Sequence, residues 1–174
     1  MRRPPVALLA IMAAAAIAAC SGSSSTTAPT STAGNVVTFK ATMNGVSENP
    51  ANSSTGTGTF TATLDTVTNA FTWDVVFTGL TSNVTAGHIH GPVEIASLNA
   101  GTTINFASSP GATFSLGQTT GTAHGTATLN AANAITATIN GDSLKKLLFA
   151  SKTYANVHTV NIPGGEIRGT IIKQ

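Results

Sequence analysis

Two stretches of strict alternation limit what this chain can fold into. Phe60, Ala62 and Leu64 interleave with Thr59, Thr61 and Thr63, and Phe71, Trp73, Val75 and Phe77 with Thr72, Asp74, Val76 and Thr78. A period of two puts one set on each face of an extended strand. Each stretch therefore offers an apolar face to a core and a hydroxyl-rich face to water. Threonine, β-branched and aromatic side chains all suit such a pleated surface. A turn over residues 66–70 joins the two as a hairpin. Val37, Phe39, Ala41 and Met43 repeat the pattern in an earlier strand, which the turn-rich segment 44–54, with Gly45 and Pro50, brings to an end.

The signals after this hairpin remain β. Strands are predicted at 84–90, 102–106, 112–116, 121–129 and 134–140, the last with Ile135, Ala137 and Ile139 on one face. Two more follow at 153–159 and 166–172, separated by the turn Pro163-Gly164-Gly165. One short helix interrupts them: Leu144, Leu147 and Leu148 fall at helical spacing, and Asp142 or Ser143 can cap it. Many short strands with little helix mean an all-β fold, a single Greek-key β-sandwich or barrel. Gly56-Thr57-Gly58 reads as the start of a strand, because no helix follows to make a phosphate loop. Trp73, in phase with three apolar neighbours, belongs to the core.

The N-terminus has another logic. Arg2 and Arg3 precede an apolar run from Val6 to Ala19 that ends in small residues, the plan of an export signal and short for a membrane span. The run ends Ile17-Ala18-Ala19-Cys20 and resembles a bacterial lipoprotein cleavage box. That resemblance implies that Cys20 becomes the acylated first residue and holds the protein to a lipid bilayer. Ser21, where an aspartate would signal retention, favours the outer membrane in a cell with two membranes. Residues 1–19 are thus expected as signal peptide, 20–35 as lipidated cysteine and flexible tether, and 36–174 as one domain.

Without the signal, Lys40, Lys145, Lys146, Lys152, Arg168 and Lys173 balance Glu48, Asp65, Asp74, Glu94, Asp142 and Glu166. No basic stripe remains to follow a phosphate backbone, so nucleic acid is not an expected partner. Cys20 is the only cysteine. It leaves no internal disulfide and no thiol nucleophile. There is no G-x-S-x-G elbow, and the carboxylates are too scattered to nominate an acid–base pair, so no catalytic residue is assigned.

The histidines are the chemically rich residues. His88 and His90 lie two apart and point to one face of a strand, and His158 follows from a distant strand. Imidazole suits copper and zinc, and Asn156, Glu166 and Arg168 are candidates to orient the ligands or complete a polar cluster. The same residues also make a hydrogen-bonded network without an ion, and both readings stay open. His124 reads as a surface or turn residue.

Several motifs in order carry a resemblance. Phe39-Lys40-Ala41, Glu48-Asn49-Pro50, Thr55-Gly56-Thr57-Gly58, Thr78-Gly79-Leu80, Ala86-Gly87-His88-Ile89-His90-Gly91-Pro92, Tyr154-Ala155-Asn156-Val157-His158-Thr159 and Pro163-Gly164-Gly165-Glu166-Ile167-Arg168-Gly169 resemble the CHRD domain, named for the animal protein chordin. The resemblance itself implies little about activity; the anchor, the tether and the lack of catalytic machinery point to a non-enzymatic cell-surface module that binds a protein or glycan ligand. The order Gly79-Leu80, His88-x-His90, Val157-His158 and Arg168-Gly169 is also similar to copper–zinc superoxide dismutase. That similarity implies copper at His88, His90 and His158, with Arg168 facing the opening. The zinc loop and the disulfide cysteines of that family are missing here.

Overall fold

The computed structural model describes residues 35–94 and 98–174 of the chain. The expected export signal, Cys20 and the expected tether up to Gly34 fall outside these residues.

Three long strands, β1 (Val36–Asn44), β2 (Thr57–Asp65) and β3 (Ala70–Thr78), form an antiparallel meander. After it come β4 (Val84–His90), β5 (Thr102–Asn105), β6 (Thr113–Phe114), β7 (Gly121–Thr128), α1 (Gly141–Phe149), β8 (Tyr154–Thr159), β9 (Ile167–Thr170) and β10 (Ile172–Lys173). They join one curled antiparallel sheet in the order β5-β4-β8-β9-β1-β2-β3-β7-β6, with β10 beside β1. The chain leaves β3 to build β4 and β5, then returns with β7 to pair with β3. The fold is all-β, a curled sandwich with a single short helix among the described residues.

Its two halves pack face to face. Trp73 on β3 lies 4.6 Å, centroid to centroid, from Phe106 beyond β5, and Phe77 meets Phe114 edge-on. Gly87 on β4 is required here, since the Phe106 ring fills the space a side chain would need. Trp73, Phe39, Phe60, Phe71 and Phe77 are fully buried. Each large side chain of this kind contributes roughly 1.5–3 kcal/mol by leaving water.

Three expectations are corrected. Residues 134–140 are no strand: only an isolated bridge joins Ala134 to Asn140. The Thr136 hydroxyl accepts from Ile139 N, and the backbone folds back so that Ile135 N and Thr136 N both donate to Ile139 O. Ile135 and Ile139 still pack on the core, but from a tight turn. The cap of α1 is Asn140, whose Oδ1 accepts from Ser143 N at 2.9 Å, and not Asp142 or Ser143. The last strand is also divided. Ile171 N still follows the β8–β9 register, donating to Thr153 O, but the next residues leave β8, and β10 pairs with β1.

Candidate metal centre

Strand parity and register assemble the histidine site. Ile89 of β4 is in the core, so His88 and His90 leave from the opposite face. On β8, Ala155 and Val157 face the core and Tyr154, Asn156 and His158 share the other side. The register sets His88 opposite Asn156, His90 opposite Tyr154, and Ala86 opposite His158. His158 is thereby the diagonal neighbour of His88, close enough for side chains to touch.

One ring nitrogen from each of His88, His90 and His158 lies within 4.8 Å of the others. His88 Nδ1 and His158 Nε2 are 3.1 Å apart. Carbonyls fix two of the rings: His158 Nδ1 donates to Pro163 O at 2.8 Å, and His90 Nδ1 to Ala100 O at 2.8 Å. Each bond places the proton on Nδ1 and leaves an Nε2 lone pair, the tautomer that second-sphere carbonyls commonly impose on metal-binding histidines. His88 then donates its Nδ1–H to His158 Nε2. Moving that proton to its own Nε2 frees Nδ1 for an ion.

The three rings resist charging. Burial, with the neighbouring His158 and His90, pushes His88 down to about 4. Burial also lowers His90 and His158, against the raising effect of their carbonyl partners. Neutral imidazoles at neutral pH are the form that ligates. His90 is 8 % exposed, whereas His88 and His158 are only half-buried, so approach is from their side.

The outer face of β8 and β9 is roofed by two loops. Arg168 is buried; it donates to Asn99 Oδ1 at 2.8 Å and Leu98 O at 3.0 Å, with its guanidinium 3.9 Å above the Tyr154 ring. It does not face an opening, as the dismutase similarity implied, but anchors the loop that supplies Ala100 O. The Tyr154 ring stacks on His90 at 4.8 Å, and its hydroxyl accepts from Ala100 N. Asn99 in turn donates to Asn49 O, tying the two loops together.

Glu166 lies apart from the rings. Its carboxylate accepts from Ser54 Oγ at 2.6 Å, Thr81 N at 2.7 Å, Thr81 Oγ1 at 2.9 Å and Thr159 Oγ1 at 2.6 Å. Burial opposes its charge, but these donors prevail and hold the carboxyl below its ordinary value. It is a keystone among three loops and β8, and no described bond joins it to an imidazole. Asn156 does reach one: its Oδ1 is 3.0 Å from His90 Nε2. His124 sits on β7, bonded to Asp74 at 2.8 Å.

Glu48 is the acid that sequence reasoning did not assign to the site. It is 7 % exposed, lies against Asn156, and is pushed up to about 6, by burial first, while Arg168 pulls it down. Nothing in a turn sequence Glu48-Asn49-Pro50 shows that the carboxylate will be covered.

A family model described as the CHRD domain matches residues 39–171. The chain belongs to the CHRD domain family. No curated protein and no solved structure matches it. The CHRD domain match runs from β1 to just past β9. It contains the three histidines and both roofing loops, and Cys20 lies outside it.

Proposed function

We propose that this CHRD protein is an exported, lipid-tethered binding module without catalytic machinery, and that its three-histidine centre holds copper, with zinc as the weaker ligand. The carrying observation is the convergence of His88, His90 and His158, from two strands remote in sequence, on one spot. Two nitrogens bound to one ion at about 2.0–2.1 Å stand roughly 3.3 Å apart in a tetrahedral site. The 3.1 Å between His88 Nδ1 and His158 Nε2 is near that value. Copper is preferred because an all-imidazole set follows the general affinity order that peaks at copper(II). Anchoring through Cys20 is supported by the export signal and the residues before that cysteine. Among the described residues no helix is long and apolar enough to cross a membrane.

Loading the purified protein with copper and removing excess is expected to leave one ion per chain by elemental analysis. His88→Ala or His158→Ala should lose it. A wild-type protein that retains no stoichiometric copper or zinc would defeat the metal reading. The hydrogen-bonded rival has its own support in the direct His88–His158 bond, which links the two rings without an ion. In that case the module binds only a protein or glycan ligand at the cell surface.

A further inference from the structure

We propose that Asn156 is the fourth donor of the histidine centre and that the Glu48 carboxylate is the positioning residue that aims its amide oxygen there; this rests on the metal reading above. Glu48 and Asn156 meet over Gly165. A Cβ at that glycine would stand 2.6 Å from Glu48 Oε1 and 2.8 Å from Asn156 Nδ2, so only glycine permits the approach. Glu48 Oε1 is buried with no hydrogen-bond partner of good geometry, and Oε2 has one long contact, 3.4 Å from Asn49 N. Glu166, with four donors, is saturated; Glu48 is not.

The amide orientation follows from charge. A carboxylate accepts only, so the NH2 group of Asn156 must face Glu48 and Oδ1 must face away. Oδ1 then lies 3.0 Å from His90 Nε2. His90 has already committed its proton to Ala100 O through Nδ1. Two acceptors, a carbonyl oxygen and an imidazole lone pair, therefore confront one another inside the protein. A neutral molecule has nothing to put between them. A cation about 2.1 Å from each would hold them roughly 3 Å apart at about 90°, so the separation suits neighbouring positions on a shared copper(II) ion of tetragonal geometry. Asn156 is 2 % exposed and Glu48 is nearly as buried. Their negative end is therefore screened little, and it faces the neutral rings that bring no charge of their own to offset a cation.

The test is copper affinity by competition with a chelator, run beside the electron paramagnetic resonance spectrum of the copper(II) protein and urea unfolding of the apo protein. Glu48→Gln is expected to weaken copper binding about 10–100-fold, the usual effect of an outer-sphere partner, and to alter the copper hyperfine splitting. Apo stability should not fall, because a buried and poorly satisfied charge has been removed. Adding Asn156→Asp to Glu48→Gln should restore affinity by placing a charged oxygen on the ion itself. Glu48→Gln copper binding and spectrum equal to wild type would overturn the assignment while leaving the three-histidine site intact. Copper-free wild-type protein removes both. If Glu48→Gln does not fold, Asn156→Asp alone carries the test: tighter copper and a changed spectrum are expected, and unchanged values overturn it.

Discussion

The β1–β2–β3–β7 half and the β4–β8–β9 half are built from similar strands, yet they use polar residues in opposite ways. β2 alternates exposed and buried without exception until its last residue, with threonines outward and Phe60, Ala62 and Leu64 inward. β8 hides every residue except the half-buried His158. The first half has one wet face; in the second, β8 and β9 are covered on both, while β4 stays open at Thr85. A hydroxyl facing water needs no particular partner, whereas a polar group under a loop must find one. Hence Glu166, Asn156, Arg168 and the three imidazoles form defined bonds, and chemistry collects where the sheet is roofed.

The comparison is put at greatest risk by Arg168→Ala. Removing this buried cation leaves Asn99 Oδ1 and Leu98 O without their donor and deprives Glu48 of its nearest positive charge. Losing one partner of a buried charged network costs about 3 kcal/mol or more. Urea unfolding should show that loss, with weaker copper binding because the Ala100 loop is released. A loss under about 1 kcal/mol would mean that the roof contributes little.

The difference between the halves also explains what the sequence disclosed. Phe60, Phe71 and Trp73 announced their strands because water on one face and core on the other impose a period of two. His88, His90 and His158 announced a site because parity on two strands brings them to one surface. Arg168 and Glu166 depart from the expected cluster for a common reason. Residues on one face of β9 and its approach can still reach different loops, and loop paths are not periodic. Segment 134–140 departs for a related one: Ile135, Ala137 and Ile139 alternate like a strand, but the Thr136 hydroxyl closes a turn between them. Glu48 was illegible as a site residue, since its burial depends on Arg168 and Asn156, more than 100 positions away.

Acid should separate the halves next. His88 is held at about 4 against 6.5 when unfolded, and His90 and His158 are lowered too. Well above pH 6.5 both states are neutral and nothing is lost. As the pH falls from 6.5 towards 4, the unfolded chain takes up protons that the folded chain refuses, so stability declines. Glu48 acts oppositely: raised from 4.5 to about 6, it disfavours folding increasingly as pH rises through that interval. Three histidines against one carboxyl leave a net loss of stability on acidification. Apo-protein stability that stays level between pH 6.5 and 4 contradicts the buried, neutral cluster. His88→Ala should flatten much of the slope.

The finest test uses one residue type in both halves. Thr61 is exposed on β2, between Lys40 and Asp74, while Thr159 is fully buried at the end of β8 and donates to Glu166 at 2.6 Å. Thr61→Ala removes only a β-favouring surface side chain, and about 0.5 kcal/mol or less should be lost. Thr159→Ala removes a hydrogen bond to a buried carboxylate, worth about 1.5–3 kcal/mol. The two substitutions are chemically identical, so propensity cancels in their difference. What remains, about 1–3 kcal/mol in urea unfolding, measures what the roof does to a hydroxyl. Equal losses at the two positions would mean that burial, and not pairing, distinguishes the halves.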